Sequence, residues 1–350
     1  MAPTPLSSSA PPPDWPPVPG KRGRRWWLTG ALLAAALGGA AACGVRWWNG
    51  AVLRPGPLAE ARTLVVPHGG TNQLAEMLTR DGVIDRPRLF RGAVWLTRDE
   101  GPLHAAEFVF PAHASIRQVL AILRAARPVQ HHLTIAEGLT AQQIVAVLAH
   151  AEAMTGEVRT IEEGSVLPQT YDYEFGADRA GLVARAKAAM DKDVADAWAD
   201  RAPGLALSSP REALILASIV ERETAKADER PHVASVYLNR LRRGMKLQAD
   251  PTVVYVASHG AGVLDHHLTR AELARDDPFN TYRNVGLPPA PICSPGLDSL
   301  RAVLHPDTGD DLFFVADGSG GHVFSRNYEA HGNAVARWRG LVPPAHGSPD

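Results

Sequence analysis

Polar and apolar residues alternate along this chain in short units. Thr63–Val66 is rich in β-branched residues and ends at Pro67 and Gly69-Gly70, which predicts a short strand and a turn. Thr71 then opens a helical pattern with Leu74, Ala75, Met77 and Leu78 on one side, stopped by Asp81-Gly82. The pattern recurs. Glu107–Phe110 predicts a strand, and Ser115 caps a helix carrying Ile116, Val119, Leu120 and Leu123. Leu133–Ile135 predicts a third strand, and Thr140 caps a helix with Ile144, Val145, Val147 and Leu148. Such units fold as small α+β modules, helices packed on a small sheet. Residues 180–200 predict a long amphipathic helix. Ser209-Pro210-Arg211-Glu212 is then a helix start, with Ser at the cap, Pro at the first turn and Glu placed for a capping box.

The N-terminus has a different pattern. Residues 1–20 are Pro- and Ser-rich, with too little apolar content to pack, so residues 1–25 are expected to be disordered. Lys21, Arg22, Arg24 and Arg25 precede Trp26–Val45, twenty residues without a charge. Twenty helical residues span about 30 Å, the hydrocarbon thickness of a bilayer. Trp26-Trp27 and Trp47-Trp48 stand at the two ends as an aromatic belt. Residues 26–48 therefore predict a transmembrane helix. With four basic residues before it and only Arg46 close behind, the N-terminus is expected to be cytoplasmic and the rest exported. Both a cleaved signal peptide and a lipid-modified Cys43 fit less well: the apolar run is long for the first, and Ala40 is small for the second. Residues 49–62 look like a linker, 63–130 a binding or spacer domain, 131–338 a catalytic domain and 339–350 a flexible tail.

Composition narrows the partners. Net charge is −1, with neither a basic excess nor a basic stripe to argue for nucleic acid. Two cysteines in 350 residues exclude a disulfide framework. The fourteen histidines include the adjacent pairs His131-His132 and His266-His267, which do not share a face and read as surface residues. The run Asp307–Asp311 reads as a solvated turn. No zinc, thiol-redox, phosphate-loop or serine-nucleophile motif is present.

Chemistry concentrates on Ala213–Thr224. Leu214, Ile215, Leu216, Ala217, Ile219 and Val220 are apolar on every side, so this helix is expected to be buried. Glu221 ends the run on the face of Leu214 and Ala217, a partly desolvated setting suited to donating a proton. Arg222, Arg240 and Arg242 are the cations that could pair with it instead. Glu223, two residues on, must point elsewhere. Gln248, Asp250, Asn280 and Tyr282 lie in turn-like segments that could line a cleft.

Long blocks of this sequence resemble one family. They are ASIVERET (217–224), VASVYLNRLRRGMKLQADPTVVY (233–255), NTYRNVGLPPAPI (280–292), SPGLDSLRAVLHP (294–306) and LFFVADGSGGHVFSRNYEAH (312–331). TIAEGLTAQQI (134–144) and EEGSVLPQTYDY (162–173) add two more. Over about residues 60–335 the chain resembles the MltG-type (YceG-like) endolytic murein transglycosylases. Ala136, Gln169 and Ser294 depart from the usual residues at their positions. The resemblance implies an N-terminal anchor, a small LysM-like α+β domain and a lysozyme-like catalytic α+β domain. It implies Glu221 as the acid/base and Gln248, Asp250, Asn280 and Tyr282 as cleft residues. It implies cleavage of MurNAc-β-1,4-GlcNAc bonds to 1,6-anhydro ends without metal or organic cofactor, at the inner membrane, on nascent strands beside cell-wall synthases. Two other readings stay open. One is a non-catalytic peptidoglycan-binding scaffold. The other is a hydrolytic muramidase, for which Asp250 would be the second carboxylate.

Overall fold

The computed structural model describes residues 23–341; the expectations for residues 1–22 and 342–350 lie outside the described residues. The fold is mixed α+β with an apolar N-terminal helix, in two units that divide at Arg127/Pro128.

The first unit begins with α1 (Gly23–Leu53). Its segment Thr29–Leu53 is long and apolar enough to cross a membrane. The helix continues beyond the expected Trp48 because no breaker intervenes before Pro55 and because Val52 buries itself in the unit's core. There follow β1 (Arg62–Val65), α2 (Thr71–Arg80), α3 (Pro87–Leu96), β2 (Glu107–Phe110) and α4 (Ile116–Ala125). β1 and β2 pair antiparallel, with Leu64 opposite Phe108. Phe108 and Phe110 point inward onto Leu74, Leu78, Phe90, Leu120 and Leu123. Helix α2 is capped by Gly70 rather than Thr71, with Gln73 Oε1 accepting from the Gly70 N–H at 3.4 Å. Ser115 caps α4 as its pattern predicts. The sequence pattern did not single out α3; Pro87 at its first turn and the buried Phe90 and Ala93 account for it.

The second unit has two apolar centres. Around the first, β3 (Gln130–Thr134), α5 (Ala141–Ala149), β4 (Met154–Thr155), β5 (Thr170–Glu174), β6 (Ala177–Asp178) and α6 (Arg179–Ala199) enclose Leu133, Ile144, Leu148, Tyr171 and Leu182. β3 and β5 pair antiparallel, and β4 and β6 parallel. The Arg179 guanidinium donates to the Leu148 and Ala151 carbonyls at 2.7 and 2.8 Å, supplying partners that the end of α5 lacks.

The second centre is built on α7 (Pro210–Glu223). Ser209 caps it by accepting from the Glu212 N–H at 3.2 Å. The Glu212 side chain accepts from the N–H and hydroxyl of Ser208, one residue earlier than a capping box requires. Around α7 lie α8 (Arg230–Arg242), α9 (Asp250–Ala257), α10 (Arg270–Leu273), α11 (Leu297–Leu304), the hairpin β7 (Phe313–Ala316) and β8 (His322–Ser325), and α12 (Tyr328–Leu341). Leu216, Ile219 and Val220 of α7 are wholly buried, packed in one cluster with Val233, Tyr237 and Val303. The loop containing Asp307–Asp311 is more than a solvated turn. Asn239 donates to the Gly309 and Asp311 carbonyls at 2.9 and 3.0 Å, and His232 meets the Asp311 carboxylate at 2.9 Å.

Because Leu216 is fully enclosed, Leu216→Ala should destabilise the protein by about 2–5 kcal/mol. Denaturant unfolding of the detergent-solubilised chain measures this, and a loss below about 1 kcal/mol would mean that α7 is not central to the core.

Candidate active site

Glu221 and Glu223 end α7 two residues apart, about 200° around the helix, so their carboxylates serve opposite faces. The Glu221 side chain is 6% exposed. Its Oε2 accepts from the Gly296 N–H at 2.9 Å, and Oε1 lies 3.6 Å from the Arg230 guanidinium. Neither Arg222, Arg240 nor Arg242 is its partner. Arg222 donates to the Gly138 and Gly262 carbonyls, Arg240 to those of Leu247 and Leu312, and Arg242 to the Asn239 side chain. The Glu137 carboxylate fills the place where a Gly296 side chain would begin, so any larger residue there would have to displace it. Partial burial raises the Glu137 carboxyl above its ordinary range, the negative charge of Glu221 adds to this, and Arg230 opposes it. Glu221 thus joins the start of α8, through Arg230, to the N-cap of α11, through the Gly296 N–H.

Glu223 has a different setting. Its Oε2 accepts from the Tyr237 hydroxyl at 2.9 Å. Burial pushes its carboxyl up to about 7, the negative charge of Asp250 acts in the same direction, and the Tyr237 hydroxyl and Arg240 oppose. Tyr237 is itself buried, and its hydroxyl is raised well above its ordinary value by burial and by Glu223. Asp250, the first residue of α9, accepts from the Tyr282 hydroxyl at 2.5 Å. Burial and the bond to Asp250 raise the Tyr282 phenol too. Glu223, Tyr237, Asp250 and Tyr282 form one electrostatically linked group, with Arg240 as its nearest cation.

Two loops carry Asp250 and Tyr282, and buried polar groups fasten them. Thr281 Oγ1 accepts from the Ala249 N–H at 2.9 Å and meets Thr252 Oγ1 at 2.9 Å. The Thr281 carbonyl accepts from the Gln248 N–H at 3.2 Å. Gln248 is exposed and has φ of +50°, uncommon for a residue with a side chain. The bonds on either side hold it there. Asn280 is placed differently from its sequence expectation. It is fully buried, its Nδ2 donates to the Leu273 and Arg275 carbonyls at 3.1 and 2.8 Å, and its Oδ1 accepts from the Tyr282 N–H at 2.9 Å. With its amide committed on both sides, Asn280 shapes the loop that presents Tyr282.

The structure therefore brings Asp250 and Tyr282 to one site, leaves Gln248 exposed on the same loop, and puts Asn280 beneath it. Glu223 was missed because an apolar-face argument selects the carboxylate that continues the buried face. The available signal was its position as the last residue of α7, where the helix dipole disfavours an anion. A carboxyl group balanced near neutrality can both give and take a proton at physiological pH.

Comparison with known proteins agrees with this architecture. The model of the YceG-like family matches residues 64–337. The endolytic murein transglycosylase of Bacillus subtilis (strain 168) is 39% identical over 130 residues, covering 37% of this chain and 35% of that protein. That of Streptococcus pneumoniae serotype 2 (strain D39) is 35% identical over 181 residues, covering 50% of this chain and 32% of that protein. The chain thus spans about a third of the length of these relatives. A crystal structure of a YceG-like protein from Listeria monocytogenes superposes with a TM-score of 0.50 at 26% identity, covering 78% of this chain and 98% of that one. With more than three quarters of its length matched, the chain belongs to the YceG-like family.

Proposed function

We propose that this protein is an endolytic peptidoglycan lytic transglycosylase that cuts MurNAc-β-1,4-GlcNAc bonds and leaves 1,6-anhydro-MurNAc ends. The observation that carries this reading is the end of α7, where Glu221 and Glu223 stand on opposite faces, in a chain of this family. Glu223 protonates the departing GlcNAc oxygen as the bond to C1 of MurNAc breaks. The negative charge of Asp250 favours the oxocarbenium-like transition state. The C6 hydroxyl of the same MurNAc closes on C1, and the Glu223 carboxylate takes its proton. No water is consumed, and the tethered hydroxyl has the entropic advantage of an intramolecular nucleophile.

Glu221, which the family resemblance implies as the acid/base, remains the second candidate for this role; Glu223 is put forward first for its place beside Tyr237 in the field of Asp250. Glu221 accepts from the Gly296 N–H and faces Arg230, whereas Glu223 accepts from the Tyr237 hydroxyl of α8 and feels the charge of Asp250. Asp250 and Tyr282 are proposed as cleft residues, with Gln248 beside them. Around the site, α1 is proposed as a single-pass inner-membrane anchor with the N-terminus cytoplasmic and the remainder periplasmic. The first unit is proposed to be LysM-like, supported by its β1–α2–α3–β2 order, and the second to be lysozyme-like. Nascent glycan strands are the proposed substrate, with cell-wall synthases as neighbours.

Digestion of purified sacculi, with the muropeptides resolved by mass spectrometry, tests the reaction. Wild type should release anhydro ends, and Glu223→Gln should lower that release by roughly 10²–10⁴-fold. Glu221→Gln should keep measurable activity and lose stability. Loss of activity in Glu221→Gln with stability intact would restore the acid/base role to Glu221. Reducing MurNAc ends would indicate a hydrolase using Asp250, and binding without cleavage would indicate a scaffold.

The pH dependence of stability reads the same proton. Glu223 ionises near its ordinary 4.5 in the unfolded chain and near 7 when folded. Between these values the folded chain binds more protons, so this group's contribution is complete below 4.5 and is lost as pH rises through 7. Glu223→Gln removes that loss. Its stability relative to wild type should climb across the window, by up to about 3 kcal/mol in denaturant unfolding. A difference independent of pH would contradict the raised value.

A further inference from the structure

The first unit carries an apolar edge that its own core does not use. Trp95 and Leu96, at the end of α3, are 67% and 56% exposed. Next to them runs a groove of about 660 Å³ between α1 and the ends of α3 and α4. Ala41, Gly44 and Val45 form one wall, and Leu96, Leu120 and Ala121 belong to the other. Trp48 fixes this arrangement, its ring reaching within 3.1 Å of where a β-carbon on Gly92 would sit.

Depth decides what fills the groove. Residues 41–45 are the last turn of the uncharged run Trp26–Val45, which is as long as the hydrocarbon core is thick. Leu96 and Ala121 share the groove with residues 41–45 and with Trp48, Asn49 and Val52 of α1, so they lie at the outer hydrocarbon boundary and the Trp47-Trp48 level. Water at that level would leave both walls of the groove wet and apolar. The charges around it suit a headgroup layer: Arg117 lines the groove, Arg98 lies 5.3 Å over the Trp95 ring and 3.8 Å from the exposed Asp99 carboxylate, and Glu100 is paired with Arg124 at 2.9 Å.

We infer that the Trp95–Leu96 edge and this groove are a lipid-contacting face, seated in the outer headgroup–acyl boundary with a phospholipid chain in the groove. The inference rests on the reading of α1 as a membrane anchor. It makes the first unit lie against the bilayer instead of swinging on a tether.

The full chain carrying Cys43→Ala and one introduced cysteine, Leu96→Cys or Leu37→Cys, would be labelled with an environment-sensitive fluorophore. Cys293 is buried and stays unlabelled. The proteins would be reconstituted into phosphatidylethanolamine–phosphatidylglycerol vesicles containing acyl-brominated lipid. The position-96 label should be blue-shifted, quenched at least half as strongly as the position-37 label, and shielded from aqueous iodide. If position 37 is quenched while position 96 is open to iodide and untouched by brominated lipid, the anchor stands and the lipid face is wrong. Shielding from iodide without lipid quenching would put protein, such as a second copy, in the groove and equally overturn the inference. If position 37 is not quenched, the anchor reading fails and the inference falls with it.

Discussion

A helix buried on nearly all sides ends in two carboxylates, and the second unit is organised around accommodating both. Burying a carboxylate without partners is costly, so each must be satisfied or neutralised. On one face the fold supplies the Gly296 N–H and Arg230 to Glu221. On the other it supplies a single hydroxyl, from Tyr237, and sets a second acid nearby, so that Glu223 retains its proton to about pH 7. α8 serves both faces of this helix end, starting with Arg230 and carrying Tyr237 a little further along.

The loops of the site follow from the same constraint. Asp250 can influence Glu223 only if its loop is held still, and three buried hydroxyl and amide groups, of Thr252, Asn280 and Thr281, do that. Of these, only Asn280 is expected from the sequence to line a cleft. Their burial makes them the frame behind Asp250 and Tyr282. Gln248, with positive φ, shows how tightly that frame sets the backbone.

Local signals were legible in the sequence, and pairings over distance were not. The caps at Ser115, Thr140 and Ser209, the apolar run of α7 and the length of the N-terminal span all depend on residues within a turn or two of each other. The β3–β5 pairing joins residues such as His132 and Asp172, 40 positions apart, and no periodicity announces it. Choosing between Glu221 and Glu223 required knowing that Arg230, not the nearer arginines, meets the first and that Tyr237 and Asp250 meet the second. Helical spacing places the two acids on opposite faces but cannot say which neighbours each one meets. Family resemblance found the helix and the loops; only the contacts separate their roles.

If Glu223 is the acid/base, its carboxyl holds a proton near neutral pH. Carbon-13 NMR of the protein labelled at glutamate side-chain carboxyls, titrated beside Glu223→Gln, observes that proton directly. The account requires one carboxyl resonance, absent from the variant, that titrates near 7. If the resonance missing from the variant titrates near the ordinary 4.5, Glu223 is an exposed anion and the proposed acid/base is wrong.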